Sequence, residues 1–279
     1  MIKFVKMHGI GNDYIFIDAR NISIQNPEEI AVKMSNRHFG VGSDGLILIL
    51  CSRSADFRMR MFNSDGSEAE MCGNGIRCFA KYLYDKGITG AMNISVETYA
   101  GIKYINLFIR NKKVEKVRVD MGEPLLQRDE IPMQGDSGMV IDESLHLNGV
   151  KFNISAISMG NPHVVIFVED VKNFPVGKYG PLIENHPVFP NRTNVEFVEI
   201  INENEVMVRT WERGSGETLA CGTGASAVTV SGVLAYRLSR KINVHLLGGN
   251  LEIEWSEENN HIYLTGPAVE VFEGYWTDY

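Results

Sequence analysis

Alternating apolar and polar residues recur along this chain and predict a strand-rich protein. Such alternation places successive side chains on opposite faces of a sheet. In the first half, alternation or a short apolar run predicts strands at 3–7, 14–18, 46–50, 57–62, 93–97, 103–109 and 114–120. In the second half the same signals predict strands at 152–158, 164–168, 195–201, 205–211, 242–246, 251–255 and 262–264. Helices are predicted at 27–36, with Asn26 as the N-cap and Pro27 at the first position, from Gly73 to a stop at Gly87, and over ASAVTVSGVLAYRLS after Gly224.

Two similar loops precede the two longer helices. NSDGSEAEMCGNG ends at Gly75 and ERGSGETLACGTG ends at Gly224, and each has a Glu four residues before its Cys. Cys221 follows Cys72 by 149 residues. The same spacing relates Asn161 to Asn12, Glu212 to Asn63, Gly224 to Gly75, and the Gly248-Gly249 break to Tyr99-Ala100. This repeat predicts two related halves, each a strand-rich layer around one helix, with a pseudo-two-fold axis that brings the two helix N-termini together.

The cysteines fall into two classes by their neighbours. A thiol at a helix N-terminus lies among free backbone N–H groups, which lowers its pKa from an ordinary value of about 8.5. Cys72 and Cys221 are therefore predicted to be a reactive pair. Cys51 and Cys78 follow or interrupt apolar runs and are predicted to be buried small hydrophobes.

The composition limits the kinds of binding partner expected for this protein. The 279 residues are 44% hydrophobic and 22% charged, as in an ordinary globular protein, with a net charge of −8. That charge disfavours nucleic acid and anionic membranes as partners. Four Cys without a CxxC motif disfavour a zinc ribbon or a disulfide framework. No signal peptide, membrane span or nucleotide-binding GxGxxG is recognised, so we expect a cytoplasmic protein that needs neither cofactor nor metal.

Five segments together resemble diaminopimelate epimerase. They are MHGIGNDY, FNSDGSEAEMCGNGIRCFA, SMGNPH, NRTNVEF and ERGSGETLACGTGA, in order over nearly the whole chain. The resemblance implies an α+β fold of two pseudo-symmetric, barrel-like, strand-rich domains, each wrapped on a central helix. It also implies domains at 1–117 plus 263–279 and at 118–262. The implied activity is cofactor-independent interconversion of LL- and meso-diaminopimelate in lysine and peptidoglycan precursor synthesis.

The resemblance also assigns roles to particular residues. Cys72 and Cys221 are the expected acid–base pair, and His163 is expected to orient or help deprotonate a Cys, with Glu217 in support. The expected substrate-binding residues are Asn12, Asn63, Gly73, Asn74, Asn161, Asn194, Glu212, Arg213, Gly222 and Thr223. Several have structural alternatives, because Asn is common in turns and an exposed ion pair is worth little. In the GxGxD loop this chain has Gly45 where the family often has Gln, so one substrate contact is either missing or supplied by another residue or by water.

Other functions remain open at this point. Proline racemase and hydroxyproline epimerase use a similar fold and Cys pair, but the Asn residues and the ERGSGET run favour a long substrate charged at both ends. A dithiol redox protein and a noncatalytic metabolite-binding protein are further alternatives. A metal site from Cys72, Cys78, Cys221 and His163 would have a spacing that matches no known pattern. The resemblance is compatible with a homodimer.

Overall fold

A computed structural model describes residues 1–277 of the chain. Within this range there are four helices and eighteen strands. The helices are α1 Pro27–Ser35, α2 Gly73–Asp85, α3 Val176–Glu184 and α4 Gly222–Leu234. The strands are β1 Ile2–Gly9, β2 Asn12–Asp18, β3 Gly45–Leu50, β4 Phe57–Asn63, β5 Glu68–Ala69, β6 Asn93–Thr98, β7 Gly101–Arg110, β8 Lys113–Gly122, β9 Val140–Leu147, β10 Val150–Ser158, β11 Pro162–Phe167, β12 Asn194–Asn202, β13 Glu205–Glu212, β14 Gly216–Thr218, β15 Lys241–Leu246, β16 Gly249–Trp255, β17 Ile262–Gly266 and β18 Val269–Trp276.

The chain divides into two compact units. Unit 1 consists of Met1–Asp120 and the C-terminal segment that begins at Thr265, and unit 2 is Met121–Leu264. Residues 278 and 279 of the C-terminal segment assigned to the first domain lie outside the described residues. The predicted domain boundaries, after residues 117 and 262, stay a prediction.

Unit 1 is a strand layer around α2. β1 pairs antiparallel with both β2 and β18, β2 is parallel to β3, and β3 is antiparallel to β4. Helix α2 packs against β1, β2, β3, β7 and β18. Helix α1 covers an apolar cluster of this unit, in which Ala31 and Met34 of the helix pack with Ile15, Leu46 and Phe62. Ala31 and Met34 are fully excluded from solvent. These contacts bury the apolar sides of the alternating strands.

Unit 2 repeats this order of pairings. β10 is antiparallel to β11, β11 is parallel to β12, and β12 is antiparallel to β13. Helix α4 packs against β10, β11, β12, β15 and β16. It is apolar on all sides and almost wholly buried, as expected for a helix enclosed by strands.

The spacing of 149 residues holds at the level of hydrogen-bonded pairs. The first and last residues of α1 and α3 differ by this spacing, and so do those of α2 and α4. The parallel pair Tyr14↔Gly45 corresponds to His163↔Asn194. After the long helices the spacing shortens by one, because the hairpin closed by Thr98 and Gly101 matches the one closed by Leu246 and Gly249. The alignment of Gly248-Gly249 on Tyr99-Ala100 is therefore wrong by one residue.

Most predicted strands are confirmed, while several helix details are wrong. α4 ends at Leu234 because Tyr236 adopts a left-handed φ of 56°, so the helix does not continue to Ser239. Asn26 is at the N-cap of α1, but its side chain makes no capping bond and its φ is 45°. Instead, its carbonyl accepts from Glu29 N and Ile30 N. No prediction covered α3, β9 or β18.

Helix α3 escapes prediction because it contains helix breakers. Gly177, Gly180 and Pro181 all lie within its nine residues, and each disfavours a helix interior. Tertiary packing explains one of them, since a Cβ at Gly180 would lie 2.5 Å from Trp211 Cγ. Across residues 1–277, no helix is both long enough and apolar enough to cross a bilayer.

Candidate active site

Cys72 is the N-cap residue of α2. Its backbone is extended, with φ −134° and ψ 124°, while its Sγ accepts a 3.5 Å hydrogen bond from Gly75 N. The Cys72 thiol also donates to Asn12 Oδ1 over 3.3 Å. Gly73 and Asn74 form the first turn of the helix, whose backbone N–H groups point out of its N-terminus. Unit 1 thus joins a half-buried thiol, an amide and a helix N-terminus.

Cys221 is the N-cap residue of α4 and has the same geometry. Its φ and ψ are −114° and 113°, and its Sγ accepts a 3.3 Å bond from Gly224 N. The Thr223 hydroxyl lies 3.4 Å from Sγ and accepts from Asn161 Nδ2 at 3.3 Å. Gly222 and Thr223 begin the helix. Unit 2 therefore carries the equivalent group, in which the hydroxyl of Thr223 connects the amide to the sulfur.

The pKa prediction is wrong for Cys221. Burial raises the pKa of this thiol well above its ordinary value, and the nearby carboxylates of Glu212 and Glu196 raise it further. The bonds from Thr223 and Gly224 lower it, as expected for a helix N-terminus, but they do not prevail. Desolvation of the charged form outweighs the helix dipole here, since only 6% of Cys221 is exposed.

The other two cysteines differ from each other. Cys78 is fully buried in α2, as predicted, and burial raises its pKa to about 12. Cys51 is exposed, because β3 ends at Leu50 and the chain leaves the sheet there. The prediction that Cys51 is buried is therefore wrong.

His163 is held by two hydrogen-bonding partners beneath the Cys221 loop. Its Nδ1 lies 2.9 Å from Glu196 Oε1, and its Nε2 lies 3.1 Å from Asn161 Oδ1. The ligand atoms of His163, Glu196 and Cys221 lie within 4.8 Å of one another, and their types are ones that zinc accepts. Both imidazole nitrogens are already engaged by side chains of the protein, and we assign no ion to this cluster.

Two arginine–glutamate pairs brace the cysteine loops. Arg60 binds Glu68 through bonds of 2.6 and 2.9 Å, and Arg209 binds Glu217 through bonds of 2.6 and 3.0 Å. The pairs are 149 residues apart and join β4 to β5 and β13 to β14. This geometry gives Glu217 a loop-bracing contact, which was the structural alternative for it.

Two of the predicted substrate-binding residues, Asn63 and Asn194, have different surroundings. Asn63 ends β4, and its Nδ2 donates to Ser67 Oγ at 3.0 Å within a turn. Asn194 is buried, donates to Pro162 O at 2.8 Å and accepts from Arg213 N at 2.9 Å. Asn194 therefore holds the backbone of the loop that carries Arg213.

Glu212 and Arg213 lie at the end of β13. Glu212 accepts a short hydrogen bond from the Thr218 hydroxyl. The Arg213 side chain is exposed and donates to Asn191 O at 3.0 Å. The neighbouring Gly214 N donates to the buried carboxylate of Glu184 at 2.9 Å. The loop backbone is thus fixed while the guanidinium of Arg213 stays at the surface.

Gly45 is explained by close packing. A Cβ at this position would lie 2.2 Å from Phe62 O and 3.2 Å from the Tyr14 ring. The residue is buried at the start of β3, where it pairs with Tyr14 and with Asn63. A longer side chain at this position would require the Tyr14 ring and the β4 backbone to move.

Sequence reasoning missed several polar residues next to the two thiols. They are Tyr14, Asp44 and Arg77 in unit 1 and Glu196 in unit 2. A signal was available in the repeat, because three positions change character between the halves: Tyr14 corresponds to His163, Ile47 to Glu196 and Arg77 to Ser226. Glu196 and Arg77 are also charged residues inside apolar segments and are fully buried.

Solved structures share this fold. A phenazine biosynthesis protein of the PhzF family from Bacillus anthracis matches with a TM-score of 0.71 at 19% identity, covering 98% of each chain. A probable proline racemase from Agrobacterium radiobacter K84 matches with a TM-score of 0.68 at 16% identity, covering 99% of this chain and 93% of the other. The chain therefore has the fold of the PhzF and proline racemase class, and the predicted fold class is confirmed.

Closer relatives define the family. The diaminopimelate epimerase profile matches residues 4–126 and 155–271. A Methanococcus maripaludis strain C5 protein named diaminopimelate epimerase is 57% identical over 273 residues, covering 98% of this chain and 99% of the relative. One of the same name from Acetivibrio thermocellus is 55% identical over 273 residues, covering 98% of each. The chain belongs to the diaminopimelate epimerase family.

Proposed function

We propose that this enzyme interconverts LL- and meso-diaminopimelate, with Cys72 and Cys221 as its two proton-transfer groups. The observation that carries the proposal is the repeated placement of a cysteine at the N-cap of each unit's long helix, with backbone N–H bonds to both sulfurs. Family membership and relatives at 55–57% identity that bear the enzyme's name support the substrate.

Epimerisation needs one proton removed and another delivered. A thiolate takes the Cα proton, so that an S–H bond forms, the C–H bond breaks and its electron pair remains on Cα. The second cysteine, as a thiol, then gives its proton to the opposite face and becomes the thiolate. Sulfur suits both roles because a cysteine side chain can act as a base in its thiolate form and as an acid in its thiol form.

The developing carbanion needs electrostatic support. We assign this to the backbone amides that begin each helix, at Gly73 and Asn74 and at Gly222 and Thr223, which are suited to bind the reacting carboxylate. Asn12 hydrogen-bonds with Cys72 and Asn161 hydrogen-bonds with Thr223. These two side chains would hold the amino and carboxylate groups of the substrate. On this proposal no cofactor or metal takes part.

The far end of the substrate carries a second ammonium and carboxylate. Arg213 suits that carboxylate, because its planar fork is solvent-exposed on a fixed loop. Glu212 suits the ammonium. Asn63 and Asn194 would complete this recognition, and His163 would help to set the proton state of Cys221.

The biological setting follows from the reaction. The product serves lysine and peptidoglycan precursor synthesis, a small-molecule pathway that we place in the cytoplasm. Four free cysteines suit a reducing compartment. We propose no nucleic acid or membrane partner, and a homodimer is compatible with the family.

A labelling experiment tests the substrate and the absence of a cofactor. Dialysed and chelator-treated enzyme is given LL-diaminopimelate in D₂O, with L-proline and trans-4-hydroxy-L-proline as alternative substrates. The proposal predicts meso-diaminopimelate with one deuterium at the inverted Cα and no exchange into either proline. Loss of activity on chelation that metal restores, or preferential exchange into proline, would contradict it.

A further inference from the structure

Glu184 is a buried carboxylate at the C-terminal end of α3. Only 5% of this residue is exposed, and both of its carboxylate oxygens accept hydrogen bonds. Oε2 accepts from Trp211 Nε1 at 2.7 Å, while Oε1 accepts from Gly214 N at 2.9 Å and from Arg192 Nη1 at 3.2 Å. Burying a carboxylate is costly unless donors satisfy it, and these donors come from three different segments of unit 2.

The donors lie around Arg213. Trp211 and Gly214 are two residues before it and one residue after it in the chain. Arg192 follows Asn191, whose carbonyl accepts from Arg213 Nη1 at 3.0 Å. The buried carboxylate therefore ties together the backbone that carries the guanidinium and the backbone that the guanidinium contacts.

The equivalent positions in unit 1 carry no ionisable group. Subtracting 149 residues from Glu184, Arg192 and Trp211 gives Ser35, Ser43 and Phe62. The Ser43 hydroxyl donates to Ser35 Oγ at 3.0 Å, so the contact between these two positions exists in both units. Unit 2 has an ion pair in place of the hydroxyl pair, and an indole N–H in place of a phenyl ring that cannot donate.

The turn between the last two strands before each cysteine is also supported differently. In unit 1, Asp65 stands where unit 2 has Gly214. Its Oδ1 accepts from Ser67 N at 2.9 Å and from Ser67 Oγ at 2.6 Å, within the turn. In unit 2 the turn is attached to α3 through Glu184. This attachment occurs in the half that carries Arg213, whose counterpart in unit 1 is a serine.

We propose that Glu184 is a positioning residue for substrate recognition, which holds the Arg213 loop, residues 213–215, in the conformation that binds the far carboxylate of diaminopimelate. The inference rests on the proposed function, in which Arg213 binds that carboxylate. Ordering a loop and a long side chain on binding lowers affinity. A loop that is already ordered avoids part of this loss, so Glu184 contributes to affinity without touching the substrate.

Glu184→Gln tests the proposal because it keeps the size of the side chain and removes one acceptor. An amide has a single acceptor oxygen, so its NH₂ group must face the N–H of either Trp211 or Gly214, and that bond is lost. KM for LL-diaminopimelate should rise about 3- to 10-fold. The value of kcat should change by less than about twofold, since the lost contact serves binding rather than proton transfer. An unchanged KM would overturn the proposal.

The same change in the Arg213→Met enzyme separates positioning from general destabilisation. If Glu184 acts through Arg213, Glu184→Gln should add less than about a twofold rise in KM once the guanidinium is gone, because coupled residues are non-additive. An equal rise in both backgrounds would show that Glu184 acts independently of Arg213 and would overturn the proposal.

Glu199→Gln is the matched control. Glu199 is a half-buried carboxylate on β12 of unit 2, and its Oε2 accepts from Val171 N at 2.9 Å. Its replacement weakens a charge-assisted bond of the same kind but should leave KM within about twofold of the wild-type value. A rise as large as that in Glu184→Gln would mean that KM reports lost stability, which would contradict the proposal.

Circular dichroism establishes that each variant is folded. If Glu184→Gln does not fold, Trp211→Phe decides, since it introduces the residue type of unit 1 and removes the donor to Oε2. It should also raise KM, and an unchanged KM would overturn the proposal. A wild-type enzyme that does not epimerise diaminopimelate would refute the proposed function itself. An active wild-type enzyme with unchanged KM in the variants would refute only the role of Glu184.

Discussion

Glu196 Oε1 lies 2.9 Å from His163 Nδ1, and both side chains are completely shielded from solvent. The second carboxylate oxygen, Oε2, has no hydrogen-bond partner among the described residues. A Cβ on Gly224 would lie 2.4 Å from Oε1, so the carboxylate packs closely against the first turn of α4. Burying an incompletely paired carboxylate is costly, which suggests a functional reason for its position.

Glu196→Gln should make Cys221 easier to ionise. The Glu196 carboxylate is one of the groups that raise the pKa of this thiol, so a neutral amide of similar size should lower it. We expect the pH midpoint for alkylation of Cys221 by iodoacetamide, followed by peptide mass spectrometry, to fall by about one pH unit. Glu205→Gln, a surface change on the neighbouring strand β13, is the control. A midpoint that stays or rises would show that this carboxylate does not act on the thiol.

Arg213→Met should weaken substrate binding without destabilising the protein. The guanidinium is exposed and its contact within the protein is a bond to Asn191 O, while the loop backbone is held independently by Asn194 and Glu184. Loss of a carboxylate partner predicts a KM about 10- to 100-fold higher. Steady-state kinetics and thermal unfolding measure both effects. Normal KM would remove Arg213 from the site.

Much of this architecture could be predicted from sequence because it is local. Alternation located β1 and β4, short apolar runs located β2 and β3, and the Cys-Gly-x-Gly loops located both long helices. Helix α3 could not be found this way, since Gly180 is there to accommodate Trp211, which is distant in sequence. β9 was missed because polar residues interrupt its apolar positions.

The candidate site could be predicted only in part. Motif reading found both thiols and their amides, but it could not give the burial of Cys221, which reverses the direction of its pKa shift. The role of Glu196 depends on its contact with His163 on the neighbouring strand. The repeat marks Glu196 as a position that differs between the halves, but only the structure shows which group it contacts.

The packing of Gly180 can be tested with a control in the same helix. Gly180→Ala would place a methyl group 2.5 Å from Trp211 Cγ and should lower the free energy of unfolding by about 1–3 kcal/mol. Gly177→Ala meets nothing within 4 Å and should raise it by about 0.5–1 kcal/mol through helix propensity. Urea unfolding compares them. Equal effects would mean that Trp211 does not constrain this position.

Acid should weaken the Asp13 cluster in unit 1. Although burial opposes it, bonds from Arg37 and Lys6 lower the pKa of Asp13, with the Lys6 ammonium 2.9 Å away. A lowered folded-state pKa means that the stabilisation is present above the unfolded value of about 3.9 and disappears as pH falls through the lower folded value. Asp13→Asn should therefore cost about 1 kcal/mol at pH 7 and nearly nothing at pH 2. A cost that persists at pH 2 in urea titrations would contradict this.

The most direct test of the two-thiol mechanism is exchange of the substrate Cα proton in D₂O by Cys72→Ala and Cys221→Ala, measured by NMR with LL- and meso-diaminopimelate. Circular dichroism confirms folding, and Cys78→Ala is the control for loss of a buried thiol. Each single variant should lose epimerisation by at least about a thousandfold, since it lacks one of two required proton-transfer groups, while Cys78→Ala keeps its rate. Epimerisation at the normal rate by either variant would contradict the mechanism.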